Sequence, residues 1–207
     1  MKFSAHDWTE TDMIGGNSAI DFVNTVSKWS GEPVDRLGGP EAFGDWAALA
    51  GLLYDDDLDR LEKETSADPK GAAQFYAEMT TLRASLYRIF FAIAHSQQAD
   101  QNDLECLNDW KVRAARHCEI RQDKDGFRRR CADEAPALER AMRLVFDAAE
   151  ELLLSGRLDR LRTCGGDDCD RLFLDLSKNG KRRWCAMATC GNEHKVKAFR
   201  KRKKRAA

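Results

Sequence analysis

CGGDDCDRLFLDLSKNGKRRWCAMATCGNEHKVKAFRKRKKR, Cys164 to Arg205, sets the reading of the whole chain. It holds two Cys-x4-Cys pairs, Cys164/Cys169 and Cys185/Cys190, with a basic run behind them. Four thiolates in two close pairs are the donor set of a tetrahedral zinc site. Such a site is closed, with no position left for substrate, so one structural Zn²⁺ is expected and not a catalytic one. His194, four residues after Cys190, is a substitute ligand ranked below the complete pairs. Arg171–Leu176 alternates in part and is read as a strand. Ser177-Lys178-Asn179-Gly180 is a turn, and Lys181–Trp184 is expected to return beside the strand. A helix then starts near Cys190, with Val196 and Phe199 expected to face the hairpin. The outline is a small ββα unit.

Outward from this stretch the charge changes sign. From Arg157 onward there are 16 Lys and Arg against 6 Asp and Glu, and before it 18 against 29, although the whole chain carries only −1. A split of this size implies two bodies, an acidic domain over residues 1–156 and a basic module over 164–207, joined by a linker at 157–163. The cations expected to meet a phosphate backbone are Arg182 and Arg183 at the hairpin end and Lys195, Lys197, Arg200 and Lys201 on the helix. A solvated basic tail is the alternative for Arg200–Arg205.

The acidic part reads as mainly helical. Asp68-Pro69 is an N-cap followed by an N1 proline. Phe75, Met79, Leu82, Leu86, Ile89/Phe90 and Ile93 then keep the three-four spacing of a buried stripe to about His95. Further helices are expected over Glu41–Leu53, Tyr54–Thr65 and Asp100–Arg116, and from Pro136 to Gly156. A β-hairpin is expected over Glu119–Cys131, with its turn at Asp123–Gly126; this pairs Glu119 with Arg130 and Cys118 with Cys131. The two thiols are read as small buried side chains. The fold class is therefore α+β. GGNSAIDFVNTV, Gly15–Val26, fits a short strand or the first turns of a helix equally. Its Asp21 and Asn24 either line a small polar ligand site or serve as caps and backbone partners, the second being favoured.

The 43% apolar content provides for a core, and no apolar run approaches a membrane span. MKFSAHDWTETDM lacks a secretory apolar region, and the cysteines suit a metal better than disulfides, so a cytoplasmic location is expected. No Gly-x-Ser-x-Gly, Walker loop, dinucleotide fingerprint or His-Glu-x-x-His occurs, and the histidines are scattered at 6, 95, 117 and 194, so no enzyme is expected.

Phe173–Arg183 followed by WCAMATCGN resembles the CGNR-type zinc finger of bacterial regulators. GGNSAIDFVNTV and RLGGPEAFGDWAALAGLL resemble the ABATE domain that precedes that finger. The resemblance implies a stress-induced transcription regulator that uses Cys164, Cys169, Cys185 and Cys190 as zinc ligands and the basic residues for DNA. The helical domain would then sense a small-molecule effector or form a homodimer. The family's Cys-Gly-Asn-Arg is here Cys190-Gly191-Asn192-Glu193, a carboxylate in place of a cation. The alternative is a zinc-stabilised module that docks a protein or RNA without specific DNA binding.

Overall fold

The computed structural model describes residues 2–3, 6–28 and 32–205. The Gly15–Val26 stretch resolves as a helix. Gly16 turns the chain with a φ of +73°. Asn17 caps α1 (Ser18–Val23) by accepting from Ala19 N at 2.9 Å, and its Nδ2 donates to Ala148 O at 3.2 Å. Strands β1 (Lys2–Phe3), β2 (Val26–Ser27) and β3 (Val34–Asp35) form a small sheet in the order β1-β3-β2.

Four helices follow: α2 (Pro40–Leu49), α3 (Asp55–Ala67), α4 (Pro69–Ala94) and α5 (Gln101–Arg116). Asp68 caps α4 through Gly71 N at 2.9 Å, and the acidic run Asp55–Asp57 fills the first turn of α3, where carboxylates meet the positive end of the helix. The α4 stripe is buried as its spacing requires: Met79, Leu82, Leu86 and Phe90 are fully inside. Strands β4 (Cys118–Asp123) and β5 (Gly126–Cys131) form the hairpin, with Glu119 opposite Arg130 and Cys118 opposite Cys131. Next, α6 (Ala137–Leu154) lays Ala141, Met142, Val145 and Ala149 against the same core.

One polar group lies at the centre of this apolar assembly. Arg83, on α4, is completely buried. Its guanidinium donates to Asp35 Oδ1 at 3.0 Å and Oδ2 at 2.5 Å, and to Thr25 Oγ1 at 2.8 Å. Tyr76 Oη also donates to Asp35, at 3.2 Å, and the Arg83 guanidinium lies 5.7 Å from the Phe22 ring centre. The fork ties the small N-terminal sheet to the longest helix, from positions 48 residues apart. Its worth lies in geometry, since burying the two charges consumes much of their attraction. Removing one partner leaves an uncompensated buried charge. Asp35→Ala is accordingly expected to cost about 3–5 kcal/mol in chemical denaturation, and Asp35→Ala combined with Arg83→Met to recover part of that loss.

Candidate metal centre and nucleic-acid interface

The basic end of the chain is built into the helical core. Residues 157–163, expected as a linker, hold a 3₁₀ turn (Leu158–Arg160) and strand β6 (Leu161–Thr163). β6 pairs antiparallel with β7 (Leu172–Leu174), in the register Leu161↔Leu174, Arg162↔Phe173 and Thr163↔Leu172. The strand partner is thus β6 and not Lys181–Trp184, which forms no strand. The reason is burial: Leu161, Leu172 and Leu174 join the main hydrophobic core of the helical domain, and a hairpin of Arg171–Leu176 with Lys181–Trp184 would have supplied no second apolar strand.

The α1 region holds β7 from its other side. The Asn24 carboxamide accepts from Leu172 N at 3.0 Å and donates to Leu172 O at 2.8 Å. Gly15 O accepts from Leu174 N at 2.8 Å. Asp21 Oδ1 accepts from Gly15 N at 2.7 Å. Both residues weighed above as a ligand site therefore spend their polar atoms on backbone, as caps and clasps. Burial raises the Asp21 carboxyl to about 6, against the pull of hydrogen bonds from Gly15 and Ile14 N–H.

Beyond β7, Phe173 is buried among the cysteines, and Arg182 lies over its ring at 4.5 Å. Asp175, almost wholly buried, accepts from Ser177 N at 2.9 Å, Ser177 Oγ at 2.5 Å and Arg182 N at 2.9 Å, which sets the Ser177–Gly180 turn. That turn returns the chain to Cys185. The four sulfurs of Cys164, Cys169, Cys185 and Cys190 all lie within 4.8 Å of one another. Cys169–Cys185 and Cys185–Cys190 stand 3.8 and 3.7 Å apart. A tetrahedral ion with Zn–S bonds of about 2.3 Å sets sulfurs roughly 3.8 Å apart, so the donor set fits. Gly166 is a cradle for it, because a Cβ there would come within 3.2 Å of Cys169 Cβ and 3.5 Å of Cys190 Sγ. Hydrogen bonds from Cys169 and Cys185 favour a thiolate on Cys164, whereas proximity to Cys164 pushes the other two thiols up. A divalent cation resolves that conflict by compensating all four thiolates. These four cysteines are the site of one structural zinc ion.

A π turn (Met187–Gly191) carries Cys190 and leads into α7 (Asn192–Arg205). Glu193, in the first turn of α7, pairs with Lys197 at 2.9 Å, and Asp167 holds the same ammonium at 3.3 Å. The cations selected from sequence therefore divide. Arg182 is committed internally: it donates to Trp184 O at 3.0 Å, to Cys185 O and to Ile14 O at 3.4 Å. Lys197 is ion-paired. Arg183, stacked 5.1 Å from the Trp184 ring centre, and Lys195, Arg200 and Lys201 face outward. A groove that the sequence reading missed is lined by Arg162, Lys181, Arg182 and Arg183, with Gly165 and Gly180 opening it, and encloses about 470 Å³. Of its lining, Arg182 and Arg183 are legible in the sequence as candidate phosphate contacts, whereas Arg162 falls in Arg160-Leu161-Arg162-Thr163, read as linker. Val196 and Phe199 do not meet a hairpin; they are 39% and 61% exposed. β7 is already covered by β6 and the helical core, and the main contact of α7 is with the π turn.

Fold and site together define a mainly helical domain fused to a four-cysteine zinc finger with a cationic surface. Two family profiles match in that order: "Putative stress-induced transcription regulator", the ABATE domain, over residues 16–156, and "CGNR zinc finger" over 160–203. The chain belongs to the first family, whose profile spans well over half of it, and is a regulatory, zinc-binding protein. Neither description names an enzyme. A search of the curated proteins finds no match.

Elemental analysis is expected to find one zinc per chain, lost in Cys169→Ser and progressively displaced by acid as the thiolates protonate. Hydrogen exchange of the chelated protein is expected to free the amides of the cysteine loops while those of Leu172 and Leu174 stay protected, because their partners lie in the helical domain. For Asp21, the folded state binds the proton more tightly than the unfolded chain. The stability this confers is present below the ordinary carboxyl value of 3.8 and lost as pH rises through about 6. Asp21→Asn is expected to remove that slope and to be more stable than wild type at neutral pH by roughly 1–3 kcal/mol in denaturant titrations.

Proposed function

We propose that the protein is a DNA-binding transcriptional regulator whose zinc finger meets the phosphate backbone. The observation that carries this reading is the cationic face: Arg183 and Lys181 beside the basic groove, and Lys195, Arg200 and Lys201 along a helix whose start is tied to the zinc site through Cys190. Cations on a rigid support lose little freedom on meeting phosphates, and each neutralised phosphate releases counterions. The remaining charge of the chain is acidic, which favours the approach of this face alone. Glu193 weakens the face by neutralising Lys197.

The helical domain supplies the regulatory input in this reading. A cavity of about 580 Å³ lies among α3, α4, α5 and α6, floored by Phe75 and Leu138, with Arg113 held between Glu78 and Glu139 at its wall. Its size suits a small-molecule effector. Homodimerisation through the same domain is the other route of regulation. A reducing cytoplasm suits the zinc thiolates, and no helix among the described residues is long and apolar enough to cross a membrane.

A second reading has its own support. Met187, Val196 and Phe199 are exposed beside the cations, and an apolar strip on a helix suits a partner protein. Anisotropy titrations of labelled duplex DNA with the full chain separate the two readings. Affinity is expected to fall steeply between about 50 and 200 mM salt, by roughly a decade or more. Replacing Arg183, Lys195 and Arg200 together by Ala is expected to shallow the log–log salt slope by about 3. Absence of duplex binding at the lower salt favours the protein-docking reading.

A further inference from the structure

The β4–β5 hairpin carries two cysteines outside the zinc set. Cys118 and Cys131 face each other in register at its base. The neighbouring pair is hydrogen-bonded, Ala132 N donating to His117 O at 2.8 Å. In an antiparallel ladder bonded and non-bonded pairs alternate, so Cys118 and Cys131 occupy a non-bonded site. There the Cα atoms stand about 4.5 Å apart, within the span of roughly 4.4–6.8 Å that a disulfide bridges. Both side chains leave the ladder on the same face, shared with Ile120 and Phe127, which are 77% and 74% exposed. Both thiols are half-buried and free, so a small oxidant reaches them. On the other face Arg128 pairs with Asp123 across the strands at 3.1 Å, and Arg121 pairs with Asp133, just past the hairpin, at 2.9 Å. The third cysteine outside the zinc site, Cys106, lies on α5, off the hairpin.

We propose that Cys118 and Cys131 are a dithiol oxidation site that closes a reversible cross-strand disulfide when the protein meets a peroxide. One thiol loses its proton, and its thiolate attacks a peroxide oxygen, breaking the O–O bond and giving a sulfenic acid and hydroxide, which takes up that proton to become water. The second sulfur attacks the sulfenic sulfur and expels the oxygen as a second water. Two thiols lose two electrons and two protons, and one peroxide takes up both. A dithiol reductant reverses the change. The site is independent of the DNA reading: it rests on the hairpin register alone and leaves the zinc thiolates reduced.

The test uses the zinc-loaded full chain with equimolar hydrogen peroxide. Expected are the loss of two titratable thiols per chain, a peptide map linking Cys118 to Cys131, full retention of zinc by a chromophoric chelator assay, and complete recovery with dithiothreitol. Cys118→Ser and Cys131→Ser are each expected to abolish the linked peptide and Cys106→Ser to leave it unchanged. Circular dichroism of the Ser variants confirms that they are folded. The proposal is overturned by zinc release with linkage among Cys164, Cys169, Cys185 and Cys190, by a disulfide between chains, by stable oxygen addition to either hairpin sulfur, or by two hairpin thiols that persist while zinc is retained.

Discussion

A single carboxamide decides how the two halves of this protein relate. Asn24 meets both the N–H and the C=O of Leu172, as another strand would. Around it, Gly15 O takes the N–H of Leu174, and Asp21 holds Gly15 in place. β7 is therefore bonded on one side to β6 and on the other to the turn before α1 and the residue after it. Buried backbone groups must find partners, and here the helical domain supplies them to the finger. The Asn side chain serves because its adjacent donor and acceptor match a peptide edge.

The zinc ion has a narrower task as a result. In a free-standing finger the metal supplies most of the folding energy. Here Leu161, Leu172 and Leu174 are core residues of the larger domain, so half of the finger is folded by hydrophobic burial. What is left to the metal is the cysteine loops, the π turn and the direction of α7. Between the helical domain and the cysteines lie α1, β7 and the ring of Phe173 beneath Arg182. The charge pattern fits this division. Acidic side chains at Asp167 and Glu193 anchor the near end of α7 through Lys197, and Lys195, Arg200 and Lys201 are left to the solvent.

Much of the fold was legible because it follows from local spacing. The α4 stripe, its Asp-Pro start, the Asp123–Gly126 turn and the register that sets Cys118 against Cys131 each depend on residues within a few positions of one another. The zinc ligands were legible for the same reason, as chemistry in close pairs. Arg83 was not, since nothing in a helix marks which arginine will be buried until Asp35 and Thr25 arrive from elsewhere. Nor was the role of Arg182. In sequence it is one of two adjacent arginines; in space it stacks on Phe173 and binds three carbonyls, while Arg183 faces outward.

The sequence by itself determined the helices after α1, the Cys118–Cys131 hairpin, the four sulfur donors and the separation of charge, all of which are encoded in short-range periodicity, residue chemistry and composition. Only the tertiary structure decided that β7 pairs with β6 and is clasped by Asn24, that Val196 and Phe199 stay exposed, and which cations remain unspent. Those outcomes depend on competition for burial and for backbone hydrogen bonds between segments up to 168 residues apart. Such competition is settled by the whole core at once, and no local pattern records it.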